Sequence, residues 1–394
     1  MRHLFLCLFL ASSLLLPPAQ RAAESYDIIF RNGVIVDGTG APGYRADIAV
    51  RGGFIHRIGN LRNSQAAVEI DASGLVVAPG FINLHSHATL AGVKTAVNML
   101  TQGVTTEIIN ADGASSLNIS KQLSYFSAAG LAVNLGGYVG FNSVWASVVG
   151  QTDRRPDAAE IQKMRDLLTD NLKQGAWGVS AGLDYKPGYF ARTDEVIAVM
   201  QAAQPWRTNF PNHDRLTPEH NFSSLKAISE TIEIGEMTDV MPVITHMKVQ
   251  GHEQGSAAKA LAMMRAASAR GHETVADIYP YLAGQTGLGA LFVPAWAVEG
   301  GRAEMLKRFA DPTLRPRIAQ EIETALKARV LKPENIYVSS SQRPFVEYMR
   351  EYNAGAGEMI MRMLEAGSPM AIMTFGAEND LVALLHRPLI ADCM

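Results

Sequence analysis

The sequence predicts an α/β chain of eight parallel strands alternating with helices, a (β/α)8 barrel, preceded by a small β-sheet subdomain. Three observations carry this. From residue 81 onward, short apolar, β-branched runs alternate with helix-patterned stretches, as in parallel β/α units. The first run, Leu75-Val-Val-Ala-Pro-Gly-Phe-Ile-Asn-Leu-His-Ser-His87, reads as a strand buried on both faces and ends in two histidines one residue apart. Eight such runs can be counted, at 81–85, 103–110, 131–139, 178–183, 208–213, 242–248, 274–281 and 388–392.

Taken in order, residues 1–23 read as a signal peptide. A basic start is followed by an apolar run at 4–16, too short to cross a bilayer, and then by Pro17, Pro18 and small residues near Ala22 and Ala23. The expectation is export, to the periplasm or beyond, with no membrane attachment once the leader is removed. Cys7 lies in the leader and leaves Cys393 as the one mature cysteine, so neither an internal disulfide nor a zinc site made of four cysteines is expected.

Residues 24–78 read as a small sheet of hairpins. Runs at 28–30, 34–36, 48–50 and 54–55 are separated by Asn32-Gly33, Asp37-Gly38 and Gly52-Gly53. Residues 79–394 read as the barrel. Within it, Asp157 is placed to cap a helix whose Ile161, Met164, Leu167, Leu168 and Leu172 fall on one stripe before Gly175. A helical insertion at about 295–387 interrupts the rhythm before the last strand, as a lid or accessory subdomain would.

Of 394 residues, 47% are hydrophobic and 19% charged, enough for a barrel-sized core. A formal net charge of −3 gives nucleic acid or an anionic membrane no electrostatic hold.

In a β/α barrel the chemistry sits at the C-terminal ends of the strands. Four of the ten histidines fall there: His85, His87, His213 and His246. Side chains at i and i+2 of an extended chain leave one face, so His85 and His87 point together and form half of a metal site. A single strand-end histidine is ordinarily a satisfied polar residue at the rim. Four together argue for a metal.

The pieces Ala78-Pro-Gly-Phe-Ile-Asn-Leu-His-Ser-His87, Gly103-Val-Thr-Thr106, Gly178-Val-Ser-Ala-Gly-Leu-Asp-Tyr-Lys-Pro-Gly188, Ile244-Thr-His-Met-Lys248 and Ala276-Asp-Ile-Tyr-Pro-Tyr281 resemble, in order, the metal-dependent amidohydrolase superfamily. They are most similar to its N-acyl-D-amino-acid deacylase (D-aminoacylase) branch. The resemblance implies hydrolysis of a linear N-acyl amino acid with one or two divalent ions, expected to be zinc. It implies His85, His87, His213 and His246 as metal ligands, and Asp112 in the place of a ligand after strand two. It implies Tyr185 as the catalytic group that polarises the scissile carbonyl, with Lys248 and Tyr281 contacting substrate.

The match departs from the family in three places. Ala88-Thr89 stand where acidic residues often follow the histidine pair, and Phe210-Pro-Asn-His-Asp-Arg215 is only loosely similar. Matching Pro388-Leu389 to the last strand places the family's general-base aspartate just past Met394, with Asp392 off register, so a C-terminally truncated member is expected. Strand four carries no lysine, which counts against a cyclic-amide hydrolase. That activity, a deaminase, and an inactive metal-binding fragment are the competing readings.

Overall fold

The computed structural model describes residues 25–216 and 222–386, together with the backbone of 390–392. The expected signal peptide lies outside the described residues. The chain divides into two compact units, Met1–Gly80 and Phe81–Met394.

The first unit is a five-stranded sheet of β1 (Ser25–Ile35), β2 (Tyr44–Arg51), β3 (Phe54–Gly59), β4 (Gln65–Asp71) and β5 (Val76–Val77). Its order is β3-β2-β1-β4, with β5 beside the far end of β1. The expectation of hairpins throughout needs correcting. The runs at 28–30 and 34–36 belong to one strand, β1, which bulges between Phe30 and Gly33 instead of turning. Asn32 takes φ 63°, a left-handed conformation asparagine tolerates, and its N–H donates to Asp47 Oδ1 at 2.9 Å. The β4 ladder on β1 is parallel. Tyr26, Ile29, Ala49 and Leu61 form the buried core of this unit.

The second unit holds the eight strands in the predicted order. They are β6 (Phe81–Ser86), β7 (Val104–Ile109), the nearly continuous pair β8 (Asn134–Gly137) and β9 (Val139–Gly140), β10 (Val179–Gly182), β11 (Asn209–His213), β12 (Met241–Ile244), β13 (Val275–Ile278) and, after the insertion, β18 (Ile390–Asp392). Every ladder among them is parallel. They run β6-β7-β8 and β9-β10-β11-β12-β13-β18. The central strands are short and apolar because both faces are covered. All four residues of β10 are buried, as are all five of β11.

The helices cover the strands as the periodicity requires. Ala158–Lys173 begins in a capping box, with Asp157 Oδ1 accepting from Glu160 N–H at 2.8 Å and Glu160 Oε2 accepting from Asp157 N–H at 3.0 Å. It buries Met164, Leu168 and Leu172 against Val139, Val179 and Phe210. Ser224–Thr238 and Ala257–Ala269 bury Ile228, Ile232, Leu261 and Met264 against Ile244, Ala276 and Ile278.

The insertion is wider than the expected 295–387 at its start, shorter at its end, and not purely helical. It contains an antiparallel sheet of β14 (Ala283–Gly287), β15 (Ile336–Val338), β16 (Arg343–Pro344) and β17 (Met370–Thr374), ordered β14-β17-β15-β16. On β17 the buried residues alternate, Ala371 and Met373 facing a core that includes Phe292, Phe309, Ile318, Ile322, Phe345 and Ile360. That period of two is a strand signal. The helix Glu378–Leu385 belongs to the barrel instead, since Leu384 packs into the β12–β13 cluster and Asp380 accepts from Gly255 N–H at 2.6 Å and Ala257 N–H at 3.0 Å.

Candidate metal centre

At the C-terminal ends of the barrel strands, four predicted histidines come together around one predicted carboxylate. His85 and His87 rise from the end of β6, His213 ends β11 and His246 follows β12. Asp112 follows β7 and stands among all four. Asp112 Oδ1 lies 3.5 Å from His85 Nε2, 3.9 Å from His213 Nδ1 and 4.0 Å from His246 Nε2, and Oδ2 lies 3.3 Å from His87 Nε2. Two groups able to hold a metal ion share that aspartate: His85, His87 and Asp112, and Asp112, His213 and His246.

Backbone close-packing fixes Asp112. Gly113 sits at φ +81°, and a Cβ there would fall 2.3 Å from Asn142 Oδ1 and 2.7 Å from Gly182 N. Gly113 N–H donates to Ser180 Oγ at 3.1 Å, and Ser180 Oγ donates to Asn110 O at 2.6 Å, tying the turn after β7 to β10. Asn142 accepts from Gly182 N–H at 3.0 Å and donates to Gly182 O at 2.8 Å and to Tyr185 O at 3.2 Å. One amide thereby sets the turn that carries Tyr185.

The donor set fits a divalent cation. Asp112 Oδ1 is buried and makes no hydrogen bond, a cost of about 1–3 kcal/mol for a lone acceptor and more for a charged one. The His85 and His87 contacts hold its pKa well below the usual carboxylate range against the opposing effect of burial, so it stays ionised. Burial pushes His213 and His246 down, leaving both imidazoles neutral, with His213 Nδ1 and His246 Nε2 facing each other at 2.9 Å. Neutral imidazole nitrogens around an ionised carboxylate are the ligands zinc prefers.

His85 differs. Burial lowers its pKa, but Asp277 and Asp112 outweigh that and raise it to about 10. Asp277, buried on β13, was not foreseen. Its Oδ2 lies 3.3 Å from His85 Nδ1, and its Oδ1 accepts from His246 N–H. His246 itself takes φ 35°, so the carboxylate secures a histidine held in an uncommon backbone conformation. A lone aspartate inside the apolar run Val-Ala-Asp-Ile is the signal that marks it.

The three expected substrate-side residues line the cavity over this centre, which measures about 1130 Å³. Tyr185 packs against His213, the rings tilted at 44° with centroids 4.2 Å apart, and its hydroxyl lies 3.4 Å from Thr286 Oγ1 on β14. Burial and the nearby Asp112 push that hydroxyl well above its ordinary pKa, so it remains a donor. Lys248 Nζ donates to His246 O at 2.9 Å and lies 3.5 Å from the centre of the Tyr279 ring. Tyr281 is largely exposed at the cavity mouth. Tyr279 and Arg329 also line the cavity and were not singled out in the sequence. Arg329 is buried and donates to Asp184 Oδ2 at 3.0 Å, a pairing across 145 residues that no local pattern announces.

No protein-family model matches the chain. A D-aminoacylase of Alcaligenes xylosoxydans xylosoxydans is 33% identical over 294 residues, 68% of this chain and 60% of the relative. The structure of an N-acyl-D-glutamate deacylase from Bordetella bronchiseptica, solved with zinc and a phosphonate mimic of the tetrahedral intermediate, superposes with a TM-score of 0.76 at 25% identity. That match covers 94% of this chain and 76% of the other. The chain belongs to the D-aminoacylase branch of the amidohydrolases. A further D-aminoacylase structure, described for its binuclear metal centre, matches with a TM-score of 0.73 at 27% identity over 93% of this chain and 75% of that one. The chain spans about three fifths of the length of the curated D-aminoacylase it matches.

Proposed function

We propose that the chain is a metal-dependent hydrolase that releases free amino acid from N-acyl-D-amino acids, using zinc held by His85, His87, Asp112, His213 and His246. One observation carries this reading: Asp112 stands between two histidine pairs at the C-terminal rim of the barrel. Bound there, zinc supplies a water acidic enough to yield hydroxide near neutral pH, and a Lewis acid for the carbonyl.

The chain's own residues orient the substrate. The Tyr185 hydroxyl, a donor at all working pH values, is placed to hydrogen-bond the acyl oxygen as it gains charge. Lys248, held on Tyr279 and the His246 carbonyl, brings a positive charge to the same cavity for the substrate carboxylate. Tyr281, also in the cavity lining, offers its ring and hydroxyl to the substrate. The insertion strands β14 and β17 also line the cavity and restrict bulk water. In β10, Val-Ser-Ala-Gly offers no lysine to bridge two metals, which speaks against cyclic-amide hydrolysis.

The test is release of free amino acid by the zinc-loaded protein from N-acetyl-D- and N-acetyl-L-amino acids. Hydrolysis of the D series, lost on treatment with a chelator, is the expected result. Preference for the L series, or turnover that survives metal removal, overturns the reading. We also propose export, on the apolar run at residues 4–16. Cell fractionation with N-terminal sequencing of the mature chain tests it, and an intact Met1 in the cytosolic fraction refutes it.

A further inference from the structure

The first histidine of the metal centre stands on a break in the β6–β7 ladder. Asn83 on β6 lies opposite Glu107 on β7, and Ser86 lies opposite Ile109, so three steps along β6 match two along β7. The extra residue makes a bulge at Leu84-His85, and a bulge beside an active site re-aims the side chain it carries. Within this bulge, side chains bond the backbone. His85 N–H donates to Asn83 Oδ1 at 3.1 Å, and Leu84 O accepts from the Tyr138 hydroxyl at 3.1 Å.

Asn83 is held in turn. Its Nδ2 donates to Glu107 Oε2 at 3.1 Å across the ladder, and with Asn83 5% exposed and Glu107 1%, bulk water does not compete for either group. A carboxylate oxygen takes only the NH2 end of an amide, so Glu107 decides which way the Asn83 amide faces and leaves its oxygen for His85 N–H. With the amide reversed, two donors would face each other and neither would be satisfied. Among the described residues, neither Asn83 nor Glu107 lines the substrate cavity. Their effect passes through His85. Asp277 holds the ring of that residue and Asn83 its backbone. The atom that meets Asp112 is the far nitrogen, Nε2, at 3.5 Å, so a shift of the backbone is carried along the whole side chain to the metal position.

Resting on the metal-centre reading, we propose that Glu107 is a positioning residue for zinc. Through the Asn83 amide it holds the bulge that aims His85 at Asp112.

The experiment is zinc affinity of the full chain by competition with a chromogenic chelator, with the melting temperature of the metal-free protein measured beside it. Glu107→Gln keeps an oxygen for the Asn83 NH2 and is expected to bind zinc as the wild type does. Asn83→Asp sets two carboxylates against each other, releases His85 N–H and is expected to weaken zinc binding about tenfold or more, as loss of a partner behind a ligating histidine does. Joining Asn83→Asp to Glu107→Gln exchanges donor and acceptor, remakes both hydrogen bonds and is expected to recover wild-type affinity. Glu107→Met removes the acceptor without adding charge, carries the same expected loss and stands in if Asn83→Asp does not fold. A melting temperature that falls in Asn83→Asp and Glu107→Met while zinc affinity holds makes Glu107 a packing residue and overturns the inference. So does a double variant that binds zinc no better than Asn83→Asp alone. A wild-type chain that binds no zinc overturns the metal-centre reading and this inference with it.

Discussion

Asp277 Oδ2 lies 3.3 Å from His85 Nδ1, which turns the opposite ring nitrogen, Nε2, to within 3.5 Å of Asp112 Oδ1. A buried carboxylate behind a ligating imidazole fixes its tautomer and raises its basicity, and such partners typically account for 10–100-fold in metal affinity. Asp277 also holds the His246 backbone N–H, so one side chain orients an imidazole on each side of Asp112. Asp277→Asn keeps the shape and removes the charge. Zinc affinity, measured by competition with a chromogenic chelator, is expected to fall by roughly 10–100-fold with an unchanged circular dichroism spectrum. Wild-type affinity in the variant would remove Asp277 from this role.

The same ion pair makes the metal-free protein sensitive to alkali. In the folded state Asp277 and Asp112 raise His85 to about 10, from an ordinary value of 6.5. Below 6.5 the ring is protonated in both folded and unfolded chains, and its contribution to stability is complete. Between 6.5 and about 10 only the folded chain keeps the proton, so stability declines as pH rises. Asp214, pushed up to about 8 by burial, adds a decline over a lower window, from its ordinary 3.8 to about 8. Chelator-treated protein is expected to melt at progressively lower temperature from pH 6 to pH 9, in roughly equal steps of buffer. Asp277→Asn should flatten the upper part of that slope. A melting temperature that climbs over this range contradicts the assignment.

Zinc binding should oppose that trend. A protonated His85 must release its proton to become a ligand, so affinity rises with pH and binding liberates protons. Added zinc should raise the melting temperature by more at pH 8 than at pH 6, since a ligand stabilises in proportion to the logarithm of its concentration over Kd. Differential scanning fluorimetry across a zinc series reads this directly. A shift that is larger at pH 6 would show that the proton and the metal do not compete at His85.

Gly113 gives a test that touches none of the proposed ligands. Its φ of +81° disfavours any side chain, and a Cβ would strike Asn142 Oδ1 and Gly182 N. Gly113→Ala should cost roughly 1–3 kcal/mol of stability and displace Asp112 next to it. Denaturant midpoints and metal content by mass spectrometry of the purified protein are the measurements. A variant that folds with the wild-type midpoint and full metal would show that the close packing of Gly113 against Asn142 and β10 does not set Asp112.

What the sequence could reveal about this site follows from how far each signal reaches. Parallel strands buried on both faces are contiguous apolar runs, so β11 and β12 stood out, and the histidines that follow their apolar residues were visible as breaks in apolarity. The run from Leu75 to His87 was apolar for a different reason: it is two strands, β5 and β6, and Leu75, Val76, Phe81 and Ile82 are exposed, not buried on both faces as expected. Asp112 emerged through the resemblance, because Asp-Gly by itself reads as a turn. Asp277 passed unnoticed, since one carboxylate in a four-residue strand does not disturb the pattern that identifies the strand. β14 gave no signal at all. Ala-Gly-Gln-Thr-Gly has neither β-branched apolar residues nor alternation, and it is a strand because β17 supplies the ladder. Arg329 meets Asp184 only through the tertiary fold.

Tyr185 is the residue whose proposed part in the reaction separates most cleanly from its part in the structure. Its hydroxyl makes one long contact, 3.4 Å to Thr286 Oγ1, while its ring packs on His213. Tyr185→Phe removes the donor and keeps the ring, so metal content and melting temperature should stay near wild type. If the hydroxyl stabilises charge on the acyl oxygen, kcat should fall by roughly 10²-fold or more with little change in KM, the usual result of deleting one oxyanion donor. Because burial keeps the hydroxyl protonated well past pH 10, the wild-type rate should show no alkaline limb attributable to Tyr185. A variant whose kcat is unchanged while KM rises would assign Tyr185 to ground-state binding instead.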